Sequence, residues 1–510
     1  MRRNRLQPMI LPAALLLLGA ALRLWFVLRH SVIQGDSNLY SEIAQNWVQA
    51  HTYGFSTDTD YIRPTLIRLP GYPIFLVFCR ALFSHWVGPD SFVPAMLLQV
   101  FLDLASCVLI ACTVRSLLQS RMEERIARRG FLLVLAISCL CPFTANYTAT
   151  PLAEPLVLFT ISAAIYSLER WNSVFRSTGK SFNRYLYLLA ASLASSLLLR
   201  PDQALLAAAL LPALLWMNLY PQTKENAVAP PVVLADALES RLRRRLYSTP
   251  LKLPTRSVFA PAIVVLLLTL LPLVPWTIRN ERTFHVFQPI APHYATDPGE
   301  PIDLGFQRWY RSWAIDFAST EYFYWKYPDE PIDIAQLPDR AFDSEAQYDQ
   351  TADLIADSNN AVHFHRDIDA RFNQLAQERI AANPLRYYVL LPVARLGNML
   401  FHPRTELLPY DLIWWRYRWH HQQTLISWAF ALLNLAYIVA AVYAWPRLRA
   451  LSPPLAWAVL AFFLLRCCLL LTLDNAEQRY TMEFYPLFFL LIPLLLLRVR
   501  PEHREPAVSQ

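Results

Sequence analysis

Five short stretches, far apart in the chain, place carboxylates and guanidiniums at the ends of apolar runs. They are Gln34-Gly35-Asp36-Ser37-Asn38-Leu39-Tyr40, Pro151-Leu152-Ala153-Glu154-Pro155, Arg200-Pro201-Asp202-Gln203, Pro275-Trp276-Thr277-Ile278-Arg279-Asn280 and Asp474-Asn475-Ala476-Glu477-Gln478-Arg479-Tyr480. Arg68, just ahead of Pro70-Gly71-Tyr72-Pro73, could join them. A carboxylate is a proton acceptor, and guanidiniums offer forked donors that match a phosphate. Each residue also has a plainer reading. Asp36 fits the N-cap of the segment that follows it, and Arg200, Arg279 and Arg479 fit interfacial anchors that snorkel to water. Glu154 and Glu477 could simply pair with these arginines. What favours a site is that all five stretches fall on one side of the membrane once the spans are drawn.

Ten spans are expected, near 9–29, 92–118, 130–148, 152–168, 185–200, 204–220, 258–278, 423–445, 454–473 and 481–497. Each is an apolar run near the length needed to cross about 30 Å of hydrocarbon. The first continues too far for the apolar region of a cleaved signal peptide and reads as a span. Two stretches, 70–87 and 387–402, are apolar but short, so whether they span is left open; the second contains Arg395. With the N-terminus in the cytoplasm, the inside segments 1–8, 115–129, 169–184, 221–256, 446–453 and 498–510 hold 24 of the 46 Lys and Arg, while the outside turns 149–151 and 201–203 hold none. This bias sets orientation and places the five stretches outside. Asp103 and Arg466 fall within spans and suggest a structural pair.

The elements that must carry the chemistry follow. After Asp36, Leu39, Tyr40, Ile43, Ala44, Trp47 and Val48 form an apolar stripe at helical spacing, which predicts an amphipathic helix on the membrane surface. The segment 279–422 has 20 Asp and Glu against 14 Lys and Arg. Its stretch from Asp343 to Ala382 lacks Gly and Pro and predicts helix. The organisation expected is an N-terminal membrane module 1–278 with an outer loop 30–91, an extracytoplasmic, mainly helical domain 279–422, and C-terminal spans with a short tail, 423–510. The fold class is all-α, polytopic, with about ten spans.

Composition excludes other classes. Hydrophobic residues make up 55% of the 510 and charged residues 17%, against roughly 25% in soluble domains. The net charge of +7 is explained by orientation and lipid headgroups, without nucleic acid. The seven cysteines lie in apolar runs and have no zinc-ligand spacing, so no disulfide framework and no metal cluster is expected. With 10 glycines, there is little room for a phosphate-cradling Gly-rich loop.

In order along the chain, these motifs resemble the membrane glycosyltransferases of the GT-C type. The branch is the bacterial one related to protein mannosyltransferases and the aminoarabinose transferase of lipid A, glycosyltransferase family 39-like. The elements that carry the likeness are Gly35-Asp36-Ser37-Asn38-Leu39-Tyr40, Arg68-Leu69-Pro70-Gly71-Tyr72-Pro73, Glu154, Arg200-Pro201, Pro275-Trp276-Thr277-Ile278-Arg279-Asn280 and Glu477-Gln478-Arg479-Tyr480. Two departures stand out: Ser37 occupies the place of a second acid, and Pro292-His293-Tyr294-Ala295 replaces a Gly-rich stretch.

The resemblance implies a hexosyl or pentosyl transferase at the outer face of the cell inner (plasma) membrane. It would move a sugar from a polyprenyl-phosphate carrier to a lipid, glycan or protein acceptor, with inversion. Asp36 would be the base, Arg68, Arg200, Arg279 and Arg479 the donor-phosphate ligands, and Tyr40, Glu154, Asn280, Glu477 and Tyr480 the pocket. No cofactor is required beyond the lipid-linked donor, though Asp36 or Glu154 could hold a lone divalent cation. Trp309, Tyr310, Trp313, Tyr322, Tyr324 and Trp325 could stack on a sugar or form an aromatic core. Three rivals remain: a lipid or solute transporter or flippase, a partner-binding scaffold, and a polysaccharide ligase or polymerase with a lipid-diphosphate donor.

Overall fold

The computed structural model describes residues 7–33, 35–59, 61–88, 90–220, 258–361, 365–415 and 420–497. The basic segment 221–256, the tail 498–510 and most of 1–8 lie outside the described residues. The chain is a helical membrane protein. Seven described helices are long and apolar enough to cross a bilayer: Ile10–Arg29, Val93–Gln119, Pro201–Leu219, Ala260–Phe284, His421–Leu451, Pro453–Leu471 and Gln478–Leu496. The other three expected spans are helical but differ. The run 130–148 is split into α5 (Glu124–Cys139) and α6 (Pro142–Tyr147), because Pro142 lacks an N–H and starts a new helix. The run 152–168 is the start of α7 (Glu154–Thr178), which carries Glu169 and Arg170. The run 185–200 is α8 (Arg184–Leu199), of 16 residues.

Around these lie α1 (Gln7–Arg29), α2 (Gly35–Gln49), α3 (Gly71–Val87), α4 (Val93–Gln119) and α9 (Ala204–Leu219). The stretch 70–87 is thus a single apolar helix, α3, of 17 residues. The stretch 387–402 is a π turn, Arg386–Leu390, running into the helix Leu391–Phe401. A two-stranded antiparallel hairpin, β1 (Gly54–Ser56) with β2 (Ile62–Pro64), connects α2 to α3. The α4, α5, α7 and α8 helices pack on one another as the centre of the bundle, and one continuous apolar core runs through it.

The proposed pairing of Asp103 with Arg466 is corrected by the structure. Asp103 Oδ2 instead meets Arg23, 2.7 Å from Nε and 2.5 Å from Nη2. Arg23 projects from α1 into the bundle, and its Nη1 also donates to Cys139 O at 2.7 Å and Gly19 O at 2.9 Å. A single arginine inside the first apolar run gave no sequence sign of its inward direction. Burying this charge is tolerable because nearly every donor is met.

A second, aromatic core lies between the helix Leu304–Arg311 and the helices Glu345–Asn360 and Arg366–Ala382. Trp309, Tyr310 and Trp313 are at most 1% exposed, so these three form the core rather than a stacking surface. Tyr322 and Trp325 stay exposed. Arg379, fully buried, donates to Ser312 Oγ, Ala341 O and Arg340 O and ties this unit together.

Candidate functional site

The site grows from the first turn of α2. The helix starts at Gly35, so Asp36 lies inside its first turn, where the helix dipole favours an anion. Ile43 and Ala44 are fully buried below it, and the Tyr40 ring packs on Tyr72 of α3 at 4.9 Å. This anchoring presents the Asp36 carboxylate upward. Its two oxygens are divided between two arginines: Oδ1 accepts from Arg68 Nη2 at 2.7 Å, and Oδ2 meets Arg479 Nη1 at 2.7 Å. The carboxylate is therefore a bridge between two guanidiniums rather than a helix cap.

Gly71 explains how Arg68 arrives there. A Cβ at that position would lie 2.5 Å from Leu198 O and 2.8 Å from Leu199 N. Only glycine lets the start of α3 press on the end of α8, one residue short of Arg200.

From Asp36 the network continues through carboxylates and guanidiniums in alternation. Arg479 Nε contacts Glu477 Oε1 and lies 4.0 Å from Glu154 Oε1. Glu154, at the start of α7, accepts from Arg200 Nη1 at 3.0 Å. Arg200 also binds Asp202 with two nitrogens, at 3.1 and 3.2 Å, and approaches Glu483 at 3.6 Å. Arg466 closes the far end, 3.1 Å from Asp202 and 2.6 Å from Glu483. Its Nε and Nη2 hold the backbone carbonyl of Tyr480 at 3.0 and 2.7 Å. The guanidinium carbons of Arg200 and Arg479 lie 5.2 and 5.5 Å from the Tyr480 ring centroid, so this aromatic face adds cation–π attraction to both.

Arg279 and Asn280 are placed elsewhere. Arg279 lies within the helix Leu273–Phe284. It donates to Thr65 O at 2.7 Å and Tyr53 O at 2.8 Å, the residues flanking the hairpin. Tyr53, Trp276 and Phe284 rings surround its guanidinium at 5.2–5.3 Å. Asn280 is buried and donates to Gln288 O at 2.7 Å. Tyr53 OH in turn donates to Arg68 O at 2.9 Å, so Arg279 supports the loop that carries Arg68.

Sequence reasoning missed Glu483 and assigned Arg466 the wrong partner. An acid inside the last apolar run is itself a functional signal. Arg404 was also missed. It is buried at φ 61, and donates to Gln478 O at 2.9 Å and to Thr481 Oγ1, fixing the turn ahead of the last span.

The electrostatics follow from counting. Arg68, Arg200, Arg466 and Arg479 face five carboxylates: Asp36, Glu154, Asp202, Glu477 and Glu483. Burial alone would raise the Asp36 carboxyl, but Arg479 and Arg68 outweigh it and hold the group well below the usual carboxylate range. For Glu477 burial wins over Arg479, and its carboxyl is pushed up to about 7. Glu477 Oε2 and both amide atoms of Gln478 are buried without a hydrogen-bond partner in the protein. This leaves polar capacity beside Arg479 that the protein does not use. Among the described residues, no three His, Cys, Asp or Glu side chains form a metal-ligand group.

No family model matches the chain, and no curated protein matches it. Among solved structures it is similar to the archaeal oligosaccharyltransferase AglB from Archaeoglobus fulgidus with an inhibitory peptide and a dolichol-phosphate. The TM-score is 0.48 at 10% identity, covering 97% of this chain and 50% of that one. It is also similar to ArnT from Cupriavidus metallidurans bound to undecaprenyl phosphate, at TM-score 0.35 and 14% identity, covering 91% of this chain and 76% of that one. The chain spans about half the length of the oligosaccharyltransferase it matches.

Proposed function

We propose that the chain is a membrane glycosyltransferase that moves a sugar from a polyprenyl-phosphate carrier to a lipid, glycan or protein acceptor. One observation carries this reading. Six segments, distant in sequence, bring Asp36, Arg68, Glu154, Arg200, Arg466 and Arg479 into one ion-pair network at one end of an apolar bundle. The excess of Lys and Arg in the segments expected inside supports an extracytoplasmic position for that end, with 279–422 as the domain above it. No soluble nucleotide-sugar is at hand there, so an activated sugar must arrive on a lipid.

In the resting state Asp36 is a poor base, because two guanidiniums stabilise its charge. A lipid phosphate competes for the same donors of Arg68 and Arg479. When it takes them, Asp36 loses the cations that depress its carboxyl and becomes more basic. The acceptor hydroxyl then attacks the anomeric carbon, and its proton passes to Asp36. The bond from that carbon to the phosphate oxygen breaks, and the carrier leaves as polyprenyl phosphate. Arg68, Arg479 and Arg200 stabilise the charge that develops on the leaving oxygen. A single displacement of this kind inverts the anomeric centre.

The test is direct. The purified chain in liposomes is supplied with polyprenyl-phosphate sugars and an envelope-lipid extract as acceptor, and release of free polyprenyl phosphate is followed. Release by the wild type and its loss in Asp36→Asn is the expected result. Wild-type turnover in Asp36→Asn would remove Asp36 as the base.

A further inference from the structure

We propose a second anion subsite, for a phosphate group, where Arg311 pairs with Asp474 beside the buried Arg395. Three elements build it: the end of the helix Leu304–Arg311, the helix Leu391–Phe401 and the turn ahead of the last span. Arg395 is 1% exposed, and its Nη1 donates to Arg311 O at 3.1 Å and Ala314 O at 3.0 Å. Its Nε and Nη2 are buried with no protein partner. Leaving guanidinium donors unmade inside a protein is costly, and an anion is what repays that cost.

Arg311 is the accessible half of the pair, with its side chain 31% exposed. Its Nε lies 3.0 Å from Asp474 Oδ1, and its guanidinium carbon 5.7 Å from the Tyr387 ring centroid. Burial pushes the Asp474 carboxyl upward against the pull of Arg311, Arg395 and His293. Two guanidiniums and one carboxylate leave a positive balance. The Asp36 network, with more carboxylates than guanidiniums, has the opposite one. Both sites share a turn: Asp474 opens it and Arg479 closes it, while Ala476 N donates to Thr320 Oγ1 at 3.3 Å and fixes it in place.

A substrate lying across that turn would meet both sites. Its carrier phosphate would fall at Arg68 and Arg479, and a second phosphate group at Arg311 and Arg395. Assigning the second group to a substrate rests on the transferase reading, but binding of the anion does not.

The experiment uses the full chain in phosphatidylcholine nanodiscs, titrated calorimetrically with inorganic phosphate in phosphate-free buffer. A parallel arm adds phosphatidic acid to the nanodiscs and counts retained lipid by native mass spectrometry. Arg311→Gln should weaken phosphate binding about tenfold or more, and Asp474→Asn should tighten it. Arg68→Gln, which strikes the Asp36 network, should leave that Arg311-dependent component in place, so the two readings fail separately. Arg311-dependent retention of phosphatidic acid would assign the group to a lipid headgroup. A response to inorganic phosphate alone would assign it to a soluble one. Arg311→Gln and Asp474→Asn shifting affinity in the same direction would mark a structural bridge and overturn the subsite. So would absence of Arg311 dependence in both arms.

Discussion

Replacing Asp36 by Asn should change carrier affinity and turnover in opposite directions. In the wild type each carboxylate oxygen accepts from one guanidinium at 2.7 Å, and the carboxylate is 19% exposed. A lipid phosphate must displace this pairing before it can bind Arg68 and Arg479. A charge-assisted hydrogen bond has a net worth of about 1.5–3 kcal/mol. Removing the competitor should therefore tighten polyprenyl phosphate by about tenfold to a hundredfold. The same change removes the proton acceptor, which should lower turnover by about 10²–10⁴. Because Asp36 is held below the usual carboxylate range in the free protein, its charge is present throughout the neutral range. It is lost only as pH falls below that range, so both measurements can be made at pH 7. Carrier binding is read by calorimetry in nanodiscs, and turnover by release of polyprenyl phosphate. An Asn variant that binds the carrier no better than wild type would refute the displacement argument. Unchanged turnover would refute the base.

Three further outcomes follow from the same geometry. Arg279→Ala should lower turnover without removing a phosphate ligand, because the hairpin and the loop bearing Arg68 lose their support. Tyr53→Phe, which deletes only the bond to Arg68 O, should show a smaller effect worth about 0.5–1.5 kcal/mol in the same assay. Arg23→Met alone should destabilise the bundle by about 3–5 kcal/mol, because Asp103 is left as a buried unpaired charge. Arg23→Met with Asp103→Leu should recover most of that loss in thermal unfolding in detergent. Asp303 is pushed up to about 6 by burial, with Asp369 and Asp329 adding to it. A raised carboxyl gives stability that is complete below the unfolded value near 4 and lost as pH rises through about 6. Unfolding temperatures measured across that window should fall in the wild type and stay flatter in Asp303→Asn.

Much of this protein was legible in its sequence. Runs of apolar residues announce helices that cross a bilayer, because hydrocarbon forbids unpaired backbone and so dictates helix from composition alone. The stripe after Asp36 gave α2, and Pro, Arg and Glu at the ends of runs marked the turns where charged groups can stay near water. Asp36, Arg68, Glu154, Arg200, Glu477 and Arg479 stand out in this way, and the structure joins them in one ion-pair network. Which partner each charge takes was not legible. Arg279 and Arg479 look alike in sequence, yet one is absorbed by the carbonyls of Tyr53 and Thr65 while the other grips Asp36. Asp103 and Arg466 looked like mutual partners, yet each found another, in Arg23 and in Asp202 with Glu483. Local composition sets where a side chain sits relative to the membrane. The angle at which helices cross, and the face each turns to its neighbours, decides which charges come within reach, and that is settled only by the packing of the whole bundle.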